Sequence, residues 1–477
     1  MARPCGGYLG ADSSRAALET GWGWYPDAPG LRIPRRCFSK LTAAGRPLRE
    51  NRIRTAIEGG DLFKFGTLAR NTLWMTFGQG VRILVQFAYF VLIARILHSD
   101  GYGAFSGVVA LVGVLVPFAG WGSGSLLIKN VARTPQIFAV YWGRALVMTA
   151  ISAVALLLLA LLLGWWILPK SVPLMIVLWV AISDLFFARV LEVSGQAFQA
   201  FQKLSKTALL WILLAAARLG SVVVLIHVRT ASDLLTWSIL YLCGTAMVSI
   251  LGFLWVWAEL GRPRWEFSGW HLEFSEGFFF AMGNSAQRIY MDSDKTLLTR
   301  FSTLESAGIY SAAARVVDVT FVPVSALLAS AYARFFVHGG QGIRGSVSLA
   351  RRLMPVAVIY AVLAGALIYV CAPLLPWLLG AGYAETAKAA RWLAVIPLLM
   401  TLHRFAAVSL SGAGKQALLA GWEFCVAIFN VAVNFLLIPL FSWRGAAAAI
   451  IVSEVLLIIT LWSVILILSR RNSDSGW

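Results

Sequence analysis

The chain has 477 residues, 59% of them hydrophobic and 13% charged, with a mean hydropathy of +0.77. Soluble domains average about 45–50% apolar and about 25% charged residues, so the composition excludes a soluble enzyme or binding module and describes a polytopic membrane protein. The net charge of +18 does not argue for nucleic acid, because much of it sits before residue 70 and in short loops between apolar runs, as the positive-inside rule expects.

Residues 1–60 are rich in Gly, Pro and Arg and hold no apolar run long enough for a signal-peptide core. They read as a basic, disordered cytoplasmic tail. The alternative is a later translation start, with this segment not made. From residue 71 onward, apolar runs of about 20 residues follow one another, each long enough to cross ~30 Å of hydrocarbon. About twelve are predicted: 71–97, 102–128, 141–168, 173–199, 206–228, 234–258, 276–301, 306–336, 352–379, 387–411, 416–440 and 445–469. The expected fold is all-α. An N-terminal six-helix bundle (61–260) is joined by a cytoplasmic linker (261–275) to a C-terminal six-helix bundle (276–470), with a cytoplasmic tail at 471–477.

Loop charges set the orientation. Lys129, Arg133, Lys203, Lys206, Arg262, Arg264, Arg344, Arg351 and Lys415 fall in loops on one side, with the basic tail, Arg470 and Arg471. The other side holds Lys170, Arg229 and Arg444, with Lys388 and Arg391 opposing the trend. Both termini are therefore expected in the cytoplasm. Cys5, Cys37, Cys243, Cys371 and Cys425 are scattered without a metal or disulfide spacing and read as small apolar residues. No cofactor or metal is expected.

An internal repeat links the two halves. Arg95-Ile-Leu-His-Ser-Asp-Gly-Tyr-Gly-Ala-Phe-Ser106 aligns without a gap to Arg300-Phe-Ser-Thr-Leu-Glu-Ser-Ala-Gly-Ile-Tyr-Ser311. Arg, an acid, Gly, an aromatic and Ser recur at the same offsets, and Pro117 and Pro323 follow at nearly equivalent places. The acid can cap the next helix and the glycine permits a tight turn. Six helices per half make the repeat parallel, about an axis along the membrane normal.

Polar stripes run along several spans. The first span carries Thr72, Thr76, Gln79, Arg82 and Gln86; the seventh carries Asn284, Arg288, Asp292, Lys295 and Thr299. Steps of three and four place each series on one helical face. The eighth adds Ser311, Arg315 and Asp318, the fourth Arg189, Glu192, Gln196 and Gln199, and the eleventh Glu423, Asn430 and Asn434. Arg218, Arg404 beside His403, and Glu454 stand alone in other spans. A charge at a helix centre costs about 2.5–3.5 kcal/mol in lipid. Arg82, Arg218, Arg288, Asp292 and Asp318 facing lipid together cost on the order of 15 kcal/mol, more than the net stability of most domains. They must face inward, paired or hydrated. Local pairs Arg288–Asp292 and Arg315–Asp318 have helical spacing, and structural ion pairs that fix helix packing are the alternative reading of them. The functional reading is a hydrated, net cationic cavity lined by Gln79, Arg82, Gln86, Arg218, Asn284, Arg288, Asp292, Lys295, Arg315 and Asp318, suited to an anionic cargo. Asp292 and Asp318, acids among arginines, are the candidate ion-coupling residues.

The runs Gly78–Leu97, Asp100-Gly-Tyr-Gly-Ala-Phe-Ser106 and Gly120-Trp-Gly-Ser-Gly-Ser-Leu-Leu-Ile-Lys-Asn-Val-Ala-Arg133 resemble the opening of Wzx-type polysaccharide and O-antigen flippases. These belong to the multidrug/oligosaccharidyl-lipid/polysaccharide exporter superfamily. His98 stands where that family usually has Gly after Ala-Arg-x-Leu. Gln199-Ala-Phe-Gln-Lys203 and Leu410-Ser-Gly-Ala-Gly-Lys415 also resemble family segments, and the likeness covers about residues 62–470. The resemblance implies two helical bundles in a V, alternating access, and transfer of a polyprenyl diphosphate-linked oligosaccharide from the cytoplasmic to the periplasmic leaflet of a bacterial inner membrane. It implies membrane lipids as surroundings and a polysaccharide polymerase and chain-length machinery as partners, in making lipopolysaccharide or another surface glycan. A multidrug and toxin extrusion antiporter shares that fold, but such exporters usually place a carboxylate in the first span, which has no Asp or Glu between Leu68 and Leu97. Lipid II flippases commonly carry two further helices. A membrane polymerase or ligase is the rival from another class, and it would need a sizeable outer loop, whereas every predicted outer loop is short. Asp292-Ser-Asp294 imitates a metal-binding pair, yet on a helix those side chains point ~200° apart. No enzyme activity is expected.

Overall fold

The computed structural model describes residues 49–132, 134–228, 233–265, 288–340 and 342–474, with side chains from Gly80 onward apart from Ala333 and residues 471–474. The described residues from Leu68 onward belong to one compact unit. Among the described residues every regular element is helical.

Helix α1, Arg49–Leu115, holds the first expected span and the start of the second, and is interrupted at His98 (φ 57°, ψ −179°). This backbone region is nearly glycine-only, so a histidine there breaks the helix at an energetic cost. A 3₁₀ turn at Val116–Phe118 follows. Gly120, Trp121 and Gly122 then all take positive φ and redirect the chain into α2, Ser123–Val131. Helix α3 is Phe138–Ile167 and α4 is Leu174–Ala181. A π turn at Ile182–Phe187 carries α4 into α5, Ala188–Ala200. Helices α6 (Leu204–Val228) and α7 (Asp233–Leu260) complete the first group. Helix α8 is described over 288–301.

Helix α9, Leu304–Gly339, starts on a cap in which Thr303 Oγ1 accepts from the Ser306 N–H, a Ser/Thr capping arrangement that satisfies one orphan donor. Then come α10 (Ile343–Cys371), α11 (Leu374–Leu379), α12 (Thr386–Leu393), α13 (Ile396–Gly412), α14 (Gln416–Phe441) and α15 (Trp443–Asp474). The two repeat-related prolines differ in role: Pro117 lies in the turn that ends α1, while Pro323 sits inside α9.

Among the described residues, nine helices are long and apolar enough to cross a membrane, and ten if the bent pair Ala381–Leu393 and Ile396–Gly412 is one span. The protein is a multi-pass membrane protein. Of the twelve expected spans, 71–97 lies in α1, 102–128 is split between α1, the turn at Val116–Phe118 and α2, and 276–301 lies partly outside the described residues.

Helices α2 to α7 pack on one another, and α9 to α15 do the same. Each group has its own core: Leu127, Trp142, Phe198 and Val248 in the first, and Ala406, Leu410, Val426 and Leu461 in the second. A third core, with Ile93, Val108, Trp237, Tyr310 and Tyr383, draws on both.

The groups meet along a seam between α1 and the second group. The stretches 95–106 and 300–311 lie against each other there. A Cβ on Gly103 would stand 1.8 Å from the Leu304 carbonyl oxygen, and one on Gly308 would stand 2.0 Å from that of Ser99. Two bare backbones in contact are what small residues provide in membrane helix packing. Thr296 Oγ1 donates to the Gly107 carbonyl at 3.1 Å, and the Tyr383 hydroxyl donates to those of Ala94 and His98, both at 3.1 Å. Arg95 donates to the Leu378 and Trp377 carbonyls. The end of the bundle near Ser99 and Tyr383 is thereby closed.

Candidate functional site

Away from that seam the two groups enclose a cavity of about 350 Å³, within the ~300–1,000 Å³ common for ligand pockets. Both groups line it. From the first come Asp184, Arg189, Glu192, Trp211, Arg218 and Tyr241, and from the second Arg288, Asp292, Lys295, Ser311, Arg315 and Asp318. Tyr89, Phe90, Tyr102 and Phe105 of α1 form the aromatic wall between them.

Asp184 reaches the cavity from the π turn. One extra residue in that turn rotates the helix and re-aims its side chains, a common use of π turns at functional sites. Its carboxylate accepts from the Tyr241 hydroxyl at 3.0 and 3.1 Å, from Ser183 Oγ at 3.3 Å, and from Arg218 at 3.4 Å. The Arg218 guanidinium also lies over the Tyr241 ring, 4.3 Å from its centroid, a cation–π contact. One turn on, Arg189 pairs with Glu192 at 2.6 Å, and Gln196 donates to the same carboxylate at 3.2 Å.

On α8, Lys295 Nζ meets Asp292 at 2.6 Å and Arg288 meets it at 3.5 Å. One carboxylate thus faces two cations. Arg315 and Asp318 form no ion pair with each other among the described residues, contrary to the helical spacing. Both line the cavity instead. Arg82 stands beside the cavity, its guanidinium 5.4 Å from the centroid of the ring of Trp211, a lining residue.

Of the ten residues expected to form the site, Arg218, Arg288, Asp292, Lys295, Arg315 and Asp318 line this cavity, and Arg82 adjoins it. Gln86 is half-buried and does not line it; the α1 wall is made by Tyr89 and Phe90 one turn further on. The Gln79 side chain and all of Asn284 lie outside the described residues. Asp184 and Trp211 were not expected.

Asp294 points the other way, as the helical angle predicts. It is buried, accepts from the Tyr310 hydroxyl and lines a second cavity of about 40 Å³. Glu454 closes that space, accepting from the Tyr290 hydroxyl at 2.8 Å and meeting His403 Nδ1 at 2.5 Å. Lys295 and Asp318 line both cavities. Asn430 and Asn434 hydrogen bond to Ser453 and to each other inside the α14–α15 interface, so this part of the α14 stripe packs helices. Among the described residues no cluster of three or more His, Cys, Asp or Glu could hold a metal ion.

Residues 68–333 match the model of the polysaccharide biosynthesis protein family. The chain belongs to that family. Its fold is that of the multidrug/oligosaccharidyl-lipid/polysaccharide exporter superfamily. An inward-facing multidrug resistance MATE family transporter superposes with a TM-score of 0.68 at 13% identity, covering 82% of this chain and 96% of that one. An outward-facing conformation of such a transporter gives 0.57 at 14% identity, covering 85% and 96%. A superfamily transporter from Pyrococcus furiosus Vc1 (DSM3638), described as having a binding pocket of reversed polarity that suggests a different function, gives 0.59 at 14% identity, covering 84% and 96%. No curated protein matches the chain. Membership accounts for the resemblance of the opening runs to polysaccharide flippases.

Proposed function

We propose that this polysaccharide biosynthesis family member flips a polyprenyl diphosphate-linked oligosaccharide from the cytoplasmic to the periplasmic leaflet of a bacterial inner membrane by alternating access. The observation that carries the reading is the convergence of Arg82, Arg218 and Arg315, from three helices of both groups, on one cavity. Like charges at membrane depth repel and lack bulk water, and Asp184 answers only Arg218, so a bound anion would offset the remaining cationic excess. A guanidinium fork suits phosphate oxygens in particular. The diphosphate would sit among these arginines, with sugars on the aromatic and acidic walls and the prenyl tail left in lipid.

In this reading the two groups are the halves of an internal repeat, facing each other across the cavity. With both termini cytoplasmic, the closed seam faces the periplasm and the cavity opens inward. The higher TM-score with an inward-facing relative than with an outward-facing one, 0.68 against 0.57, supports this state. Asp292 and Asp318 are the groups proposed to exchange a cation in the return step. A glycan polymerase and chain-length machinery would act on the product. A multidrug-type antiporter exporting organic cations shares the fold, but the cationic cavity opposes it.

The test is transfer of a fluorescent short-chain polyprenyl diphosphate-linked sugar in proteoliposomes. Wild type should transfer it, and Arg315→Ala should insert normally and transfer it at least tenfold more slowly, the effect of about 1.4 kcal/mol of lost binding. Equal rates in wild type and Arg315→Ala would refute the arginine assignment.

A further inference from the structure

The cavity's charge can be accounted for group by group. Three of its four acids are held in ion pairs: Asp184 by Arg218, Glu192 by Arg189, and Asp292 by Lys295. These pairs cancel. Among the described residues, Arg82, Arg288 and Arg315 then stand against Asp318 alone, an excess of two positive charges. Arg288 also leans on Asp292 at 3.5 Å, but Lys295 already answers that carboxylate at 2.6 Å.

A diphosphate diester has one strongly acidic oxygen per phosphorus and so carries roughly two negative charges at neutral pH. The diphosphate by itself therefore exhausts the cationic excess. A uronic acid, a sialic acid or a phosphate on the first sugars would bring a further negative charge into the cavity with no free cation among the described residues to meet it. It would also face Asp318, whose carboxylate has no ion-pair partner among the described residues. Burying an unmatched charge beside a like charge is unfavourable. The walls suit uncharged sugars: Trp211 and the α1 rings offer flat apolar faces, and Glu192 and Asp318 offer acceptors for hydroxyl groups.

We infer that the cavity selects a lipid diphosphate whose first sugars carry no net charge, and that Asp318 is the residue that rejects acidic ones. This rests on the diphosphate reading above and adds to it the class of glycan.

The experiment measures binding to the full-length protein in nanodiscs by isothermal titration. The probes are farnesyl diphosphate, farnesyl diphosphate-linked N-acetylglucosamine and farnesyl diphosphate-linked glucuronic acid. The neutral sugar probe should bind about tenfold more tightly than the acidic one, the effect of one unmatched charge about 10 Å from another at an effective dielectric of ~20. Asp318→Asn should close most of that gap by strengthening the acidic probe. Arg288→Gln, at a site whose side chain is 59% exposed, should widen the gap, and it decides the matter should Asp318→Asn fail to insert. Equal affinities for the two sugar probes in wild type, or a ratio unmoved by either substitution, overturns the inference while leaving the diphosphate reading intact. If none of the three probes binds, the diphosphate reading falls and this inference falls with it.

Discussion

Ser106 and Ser311 hydrogen bond to each other, Oγ to Oγ, at 2.9 Å. They occupy the same place in the two aligned stretches, 205 positions apart. Gly103 and Gly308 are separated by the same interval, and each excludes a side chain from the other's backbone. Contacts between equivalent residues require a local two-fold relation between the stretches, here running through the closed seam. Under the proposed alternating access, these contacts would lie where the two groups must part.

Gly103→Ala and Gly308→Ala should therefore damage the seam. Either Cβ would stand about 2 Å from a backbone oxygen, and backbone cannot yield as a flexible side chain can. Each variant should lose about 1–3 kcal/mol, the usual cost of overpacking. Thermal melting in detergent should show both losses. Gly220→Ala is the control, because a Cβ there meets nothing within 4 Å; it should hold or raise the melting temperature, since alanine favours a helix by about 1 kcal/mol.

His98→Gly should stabilise the protein. Its φ of 57° with ψ of −179° costs a non-glycine residue about 1–3 kcal/mol, and glycine's own entropy cost returns about 0.5–1 kcal/mol of that. The Tyr383 hydroxyl bonds the backbone carbonyl of this residue, so that contact survives the change. The expected result is a higher melting temperature with glycan transfer unchanged. An unchanged or lower melting temperature would mean that the histidine side chain compensates its backbone.

Helix existence and the polar faces of α8 and α9 were legible because both rest on the 3.6-residue period. The opposed directions of Asp292 and Asp294 follow from the same geometry. Asp184 was not legible. It lies in the apolar run Ile182–Phe187 with no polar residue three or four places away, and its aim depends on a π turn that no periodicity announces. Trp211 was hidden for the opposite reason: an aromatic in an apolar helix reads as core or lipid contact until Arg82 is seen above it. The local pairing of Arg315 with Asp318 was a fair reading of spacing, but spacing places two residues on one face without saying whether they touch. Gln86 shares the α1 face of Arg82, yet Tyr89 and Phe90 make the cavity wall.

The His403–Glu454 pair is almost wholly buried and measures 2.5 Å. Removing one partner of such a pair leaves the other uncompensated, at about 3–5 kcal/mol, whereas replacing both with apolar residues is often neutral. Glu454→Leu and His403→Leu should each lower the melting temperature strongly, and the double substitution should be more stable than either. A double-mutant cycle would measure the coupling. Additive losses would show that the two side chains act independently and that Tyr290, which also donates to Glu454, is the stronger partner.

The proposed ion coupling would separate Asp292 from Asp318. Asp292 is pinned by Lys295 and Arg288, so a proton or Na⁺ must compete with two cations to reach it. Asp318 has no ion-pair partner among the described residues and lines both cavities, so a cation can reach it at lower cost. Asp318→Asn should abolish the acceleration of glycan transfer by an imposed proton or Na⁺ gradient while leaving slow equilibrium exchange in place. Asp292→Asn should instead free Lys295 to join the arginines at the proposed diphosphate site, which tightens binding and slows release with the gradient response retained. Transfer rates in proteoliposomes, with and without each gradient, distinguish the two. A full gradient response in both variants would remove the coupling role from this cavity and move the search to the buried acids Asp294 and Glu454 behind it.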